Sequence, residues 1–264
     1  MNLFWREMKA NRKSLTIWSI GMVILIGSSM SKYAGFSASD QSVNSLMADM
    51  PDTMKAVMGI GDFDLATASG YYGLLFLYLI LMGTAHAGML GANILAKEER
   101  DRTAEFLFVK PVSRGRIMML KLAAAVTNVS VFNLVTLSAS SVFFIYFGED
   151  EHFAKDLLIL MVGMLLLQLL FLSIGMLIAA LLKRPGKSGA LSGAILLIAF
   201  VLSVAVNLKE ELSVLKYVTP FQYFDAHQLM ETGFDPVFTG LSVSLTALFL
   251  LLAFRSYNRK DLNG

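Results

Sequence analysis

Gly186-Lys187-Ser188 has the residue types that close a phosphate-binding loop, where backbone amides and a lysine cradle phosphates and a hydroxyl holds magnesium. That loop needs a glycine five residues before Gly186, and Leu181 stands there. It also needs a preceding strand, whereas a long apolar run comes before this tripeptide. Nucleotide chemistry is therefore not expected in this chain. The three histidines, His86, His152 and His227, lie on separate segments, and cysteine is absent. Thiol nucleophiles, thiolate metal sites and disulfides are excluded. No apolar segment pairs carboxylates or sets serine beside histidine, so no enzyme activity, resident cofactor or metal is expected.

A second group consists of polar side chains inside apolar runs: His86, Asn128, Asn133 and Gln168. Ionisable groups within a membrane mark ion-coupled transport, and no Asp, Glu, Lys or Arg lies inside these runs. Two roles remain for His86, Asn133 and Gln168: interhelical hydrogen bonds, or contacts along a translocation path.

The third group is the charged island from Lys97 to Arg116, flanked by charge-free Leu65–Ala96 and Leu122–Gly148. Glu98 and Arg102 are i,i+4 neighbours that support a helix. Phe106, Leu107 and Val109 would leave water only by packing on membrane or protein. Pro111 stops a helix, and Ser113 suits the N-cap of the next. One reading is a solvated helix anchoring topology. The other is a lever seated in the groove of a soluble motor.

The elements that must position these residues are membrane spans. The chain is 56% hydrophobic and 16% charged, well below the ~25% charged of soluble domains. Six runs lack Asp, Glu, Lys and Arg, and each is long enough to cross ~30 Å of hydrocarbon. The expected spans are 14–31, 70–94, 119–147, 157–182, 188–208 and 236–254, in a single domain covering 1–264. The expected fold is an all-α polytopic membrane protein. The segments on one side (the N-terminus, 97–121, 183–187 and 255–264) hold 17 basic and 6 acidic residues; those on the other hold 5 and 14. The positive-inside rule makes the first side cytoplasmic, with both termini there.

Residues 2–13 put Phe4, Trp5 and Met8 near one face and Arg6, Lys9, Arg12 and Lys13 towards the other. An amphipathic helix in the interface and plain basic flanking of the first span both fit. Val43–Met58 carries an apolar pattern expected to form a helix on the outer surface. Lys209–Asp235 mixes charge with Tyr217, Phe221, Tyr223 and Phe224 around Thr219-Pro220. Partial re-entry into the membrane and aromatic anchoring at the headgroups are both open. Gly189 and Gly193 form a small-xxx-small pair able to bring two backbones close.

The run from Glu98 to Leu107, with Lys110-Pro111-Val112-Ser113-Arg114, closely resembles the signature of ABC type-2 permeases. Met50 to Gly59 and Thr219 to Phe224 fit the same resemblance, which covers essentially the whole chain. Thr103 departs slightly, since many members carry glycine there. The resemblance implies an exporter of the six-span, type V kind, with the ATP and magnesium chemistry in a partner ATPase. It implies a coupling helix carrying Lys97, Glu98, Glu99, Arg102, Thr103, Glu105, Phe106, Leu107, Pro111, Val112, Ser113 and Arg114. It further implies a connecting helix with Phe4, Trp5, Arg6 and Met8, and re-entrant helices over the exit path between the last two spans.

The expected partners are a cytoplasmic ABC ATPase, a second permease copy (a homodimer) and the bilayer, with no nucleic acid. Spans rich in Leu, Met, Phe and Ile favour an amphipathic or hydrophobic cargo, such as a membrane-active peptide, moved outward across the cytoplasmic membrane. The alternative from another class is a non-transporting immunity or sensor protein that binds toxic peptides through its outer loops.

Overall fold

None of the five prolines falls in the interior of an apolar run, which lets these runs fold as long unbroken helices. Pro51 precedes a helix, Pro185, Pro220 and Pro236 each open one, and Pro111 lies between two spans. The computed structural model describes residues 3–37, 50–58, 63–100, 113–147, 152–182, 185–208 and 210–259. The helices are α1 (Leu3–Ser37), α2 (Asp52–Met58), α3 (Ala68–Arg100), α4 (Arg114–Phe147), α5 (His152–Leu181), α6 (Ser188–Leu208), α7 (Ala226–Glu231) and α8 (Pro236–Arg259). Short 3-10 turns occupy Pro185–Lys187, Glu210–Tyr217 and Pro220–Phe224. Six of the helices are long and apolar enough to cross a membrane. The protein is therefore an all-α polytopic membrane protein.

The spans alternate in direction. Tyr72 meets Ser140 and His86 meets Phe132, which sets α3 antiparallel to α4. Gly83 lies against Gln168 and Gly91 against Leu172, so α3 and α5 run parallel. The N-terminal end of α1, the C-terminal ends of α3, α5 and α8 and the starts of α4 and α6 all gather at one end, here called the N-terminal end. The other is the opposite end.

α3 and α5 form the centre: 61% of the apolar window of each is buried, against 11–33% in the other four spans. Their crossing is backbone against backbone. A Cβ on Gly91 would stand 2.2 Å from the Leu172 carbonyl oxygen, and one on Gly175 would stand 2.2 Å from that of Gly88. Small residues at such a crossing let two helices gain dispersion contact that larger side chains would forbid. The pair singled out from sequence is not the tight crossing. A Cβ on Gly189 meets only Asn93, at 3.7 Å, and one on Gly193 meets nothing within 4 Å. Around the centre, α4 packs against α1, α3 and α5, α6 lies against α3, and α8 lies against α5.

Two expectations change. The separate connecting helix and first span are one helix, Leu3–Ser37. No proline or glycine occurs before Gly21, so nothing interrupts the backbone ladder. At ~1.5 Å per residue the 35 residues reach about 50 Å, well past the hydrocarbon. In the first outer loop only Asp52–Met58 of the expected Val43–Met58 helix is described as helical; 43–49 lie outside the described residues.

Candidate functional site

At the N-terminal end, α1 is docked onto the bundle through two of the three apolar residues of the expected face. Phe4 and Met8 turn inward onto the cluster of Ala87, Leu90, Ile94, Met118 and Tyr257. Trp5 points away and is 66% exposed. Arg6 is half-buried. Glu7, between them, is fully buried, and its carboxylate oxygen accepts a hydrogen bond from Lys97 Nζ in an ion pair. Arg6 Nη2 lies 3.4 Å from the other carboxylate oxygen. Asn128 Nδ2 donates to Met8 Sδ at 3.1 Å, tying α4 to the same turn of α1.

Lys97 thus anchors the root of the charged island to α1. α3 continues without a break through Glu98 and Glu99 to Arg100. Arg102, Thr103, Glu105, Phe106, Leu107, Pro111 and Val112 lie outside the described residues. The chain is described again at Ser113, whose hydroxyl accepts the backbone N–H of Arg116 at 3.3 Å. That bond satisfies one of the orphan amides at the start of α4, as an N-cap does. Arg114 opens the helix. Lys121, two turns further on, is fully buried and donates to the Ile94 carbonyl on α3. A cation there complements the negative end of the α3 dipole.

Sequence reasoning missed Glu7 and Lys121. Glu7 had a signal, since it is the single acidic residue among the first thirteen, next to four basic ones. Lys121 had a weaker one: it falls inside the expected span 119–147, directly before the charge-free run.

A polar layer crosses the middle of the bundle. Asn133 Nδ2 donates to Gln168 Oε1 at 3.3 Å and to the Met161 carbonyl at 3.1 Å. These two sequence-predicted residues are therefore joined. His86 lies at a similar depth without a hydrogen bond to either. Its ring stacks on Phe132 at 4.8 Å and lies 5.7 Å from Trp18. Among the described residues, His86 Nδ1 and Gln168 Nε2 are buried side-chain atoms with no hydrogen-bond partner. No group of three His, Cys, Asp or Glu among the described residues could hold a metal ion. An open groove of ≈ 610 Å³ runs between α1 and α4, lined by Val23, Val131, Leu134 and Val142. Ser138 also lines it, and its hydroxyl is bonded to the Leu134 carbonyl. The groove presents an apolar surface suited to hydrocarbon.

The opposite end is capped by the segment between α6 and α8, which folds inward. Phe221 lies 5.4 Å from Phe171 of α5 and 5.7 Å from Phe200 of α6, ring to ring. Phe200 is about two turns from the end of α6, so the cap descends well into the bundle. The buried Gln222 amide donates to the Ser203 carbonyl, the Ser203 hydroxyl and Asn207 Oδ1 at 2.8–3.0 Å. Tyr223 stacks on Phe238 of α8 at 5.4 Å. Gly163 makes room for Phe224 and Leu229. Pro220–Phe224 packs inward against α5 and α6, while Tyr217 stays at the exposed rim, 5.6 Å from Phe238.

A family model described as ABC-2 family transporter protein matches residues 1–262. The chain belongs to the ABC-2 transporter family. It is the membrane-spanning, permease type of subunit, and membership implies an ABC ATPase as partner. No curated protein in the comparison matches the chain.

Proposed function

We propose that the chain is the permease of an ATP-driven exporter. Two copies pair in the cytoplasmic membrane, each docked to a separate ATPase through the segment Lys97–Arg114. The observation that carries this reading is the placement of that segment's root. α3, the helix from which it springs, is central in the bundle and in backbone contact with α5. A load applied at Lys97 is delivered to the core of the protein and not to a peripheral helix. The excess of basic residues at this end puts it on the cytoplasmic side by the positive-inside rule.

The cargo is amphipathic or hydrophobic and moves outward. The apolar groove between α1 and α4 and the scarcity of charged residues in the sequence-read spans, where Lys121 is the exception, support an apolar path. The partner supplies ATP hydrolysis, and this chain converts ATPase movement into exposure of the cargo path. Co-expression with an ABC ATPase encoded beside it, capture through a tag on this chain and an ATP hydrolysis assay test the reading. A stoichiometric complex whose hydrolysis drops when Glu98–Arg114 is scrambled supports it. A folded six-span protein that captures no ATPase refutes it and favours the sensor or immunity alternative.

A further inference from the structure

Glu7 is a carboxylate withdrawn completely from water, yet it lies on a stretch of α1 that is otherwise basic. Burying a charge is costly unless it is paired and hydrogen-bonded. Its partners are Lys97, ninety positions away on α3, and its neighbour Arg6. Phe4 and Met8 pack on the bundle to either side of it, so the carboxylate is closed off from water. Lys97 keeps about a fifth of its side chain exposed. Asn11 Nδ2 donates to the Glu7 carbonyl at 3.0 Å and fixes this turn of α1. From the other side, Lys121 of α4 reaches the α3 backbone at Ile94, one turn before Lys97. The last two turns of α3 are thereby held by two neighbouring helices through the fully buried Glu7 and Lys121.

We propose that Glu7 is a positioning residue for energy coupling, clamping the N-terminal turns of α1 to the root of the segment that receives the ATPase. A displacement imposed at 97–114 then moves α1 and α3 as one body. This rests on the permease reading above. An exposed ion pair at the same place would transmit little, because water competes for both partners. Here water has no access to Glu7 and cannot take the place of Lys97 on it, and losing the anion leaves Lys97 free to turn outward.

The test uses the full permease–ATPase complex in lipid vesicles, reading permease-dependent ATP turnover against ATP concentration. Glu7→Gln should assemble and keep the wild-type KM for ATP. Its maximal turnover should fall at least about fivefold, the lower end of typical coupling between sites. The exchange Glu7→Lys with Lys97→Glu should recover more turnover than either single substitution. Wild-type turnover in Glu7→Gln, or an exchange no better than the singles, overturns the proposal. If Glu7→Gln does not accumulate, Lys97→Gln, altered on the partly exposed partner, carries the same expectation, and wild-type turnover there overturns it equally. A wild-type chain that neither binds nor stimulates the ATPase defeats the permease reading itself. Stimulation that is equal in wild type and variant defeats only the role of Glu7.

Discussion

Gly91→Ala adds one methyl group at the crossing of the two central helices. The new Cβ would stand 2.2 Å from the Leu172 carbonyl oxygen, 3.1 Å from its carbon and 3.2 Å from its Cα. All three are backbone atoms of α5, so no side-chain rotation relieves the contact. Ordinary contact lies beyond 3.4 Å, and α3 and α5 must therefore part by about 1 Å. A gap of that size forfeits a quarter to a half of each dispersion contact along the crossing, and overpacking of this kind costs about 1–3 kcal/mol. The alanine offsets part of this, since glycine inside a helix costs ~0.5–1 kcal/mol relative to alanine. The net expectation is ~1–2 kcal/mol of destabilisation. At ~2–4 °C per kcal/mol for chains of this size, the melting temperature in detergent should fall by roughly 2–8 °C. Gly193→Ala is the matched control: its Cβ meets nothing within 4 Å, so the same substitution should be neutral or slightly stabilising. Thermal unfolding followed by size-exclusion fluorescence compares the two. Equal melting temperatures for both variants would refute the claim that the α3–α5 crossing is backbone-limited.

Asn133→Ala removes the donor shared by Gln168 and the Met161 carbonyl; thermal unfolding should register a loss near 1 kcal/mol, within the range for hydrogen bonds between membrane helices. Gln222→Leu strips the cap of its bonds to Ser203 and Asn207. It should increase amide hydrogen exchange across 219–225 while α3 and α5 keep their protection. Ser113→Ala deletes the N-cap of α4 at a cost of about 1 kcal/mol, with the fraying seen by exchange at 114–117 only. Gly163→Leu drives a side chain into Leu229 and Phe224 and should lift the cap. Because the chain has no cysteine, a single Thr219→Cys, at a position with no exposed surface, reports the change. Its reaction with a membrane-impermeant thiol reagent should be slow in the parent and much faster with Gly163→Leu.

The spans were legible because twenty or so apolar residues without charge have one stable arrangement in lipid, a helix with its backbone satisfied internally. The helices run on past the charge-free stretches, α1 most of all, since it begins at Leu3 and not at residue 14. The N-terminus was less legible: a period of apolar residues is the same whether they face lipid or protein. Phe4 and Met8 face protein and Trp5 does not. Helix pairing was illegible for a related reason. Gly88, Gly91 and Gly175 do not form a single repeating motif, since the crossing joins residues over eighty positions apart. Gly189 and Gly193 have the spacing but face Asn93 and open space. Asn133 and Gln168 were recognised as polar intrusions. Their pairing depended on the register between α4 and α5, which a sequence does not carry.

The placement of close contacts constrains how a load at the N-terminal end could reach the opposite one. Lys97 is bound to Glu7 of α1, and six residues back along α3, about 9 Å at ~1.5 Å per residue, Gly91 lies against the α5 backbone. Backbone contact without intervening side chains cannot be taken up by rotamer changes, so α5 must follow any sideways shift of α3. On α5, Leu172 is adjacent to Phe171, the residue on which Phe221 of the cap rests. Gly163, further along, supports Phe224 and Leu229. α3 and α5 therefore join the ion pair at one end to the cap at the other through backbone contacts, the Phe171–Phe221 ring pair and the packing of Phe224 and Leu229 on Gly163. The spans outside this route, α6 and α8 above all, are mostly exposed and rest on it. Under the proposed coupling, a variant at Gly91 and a variant at Glu7 interrupt the same route at successive points. Their effects on ATP turnover should then be less than additive, as expected for substitutions in one coupled unit. Substitutions on the exposed face of α8 should instead add independently.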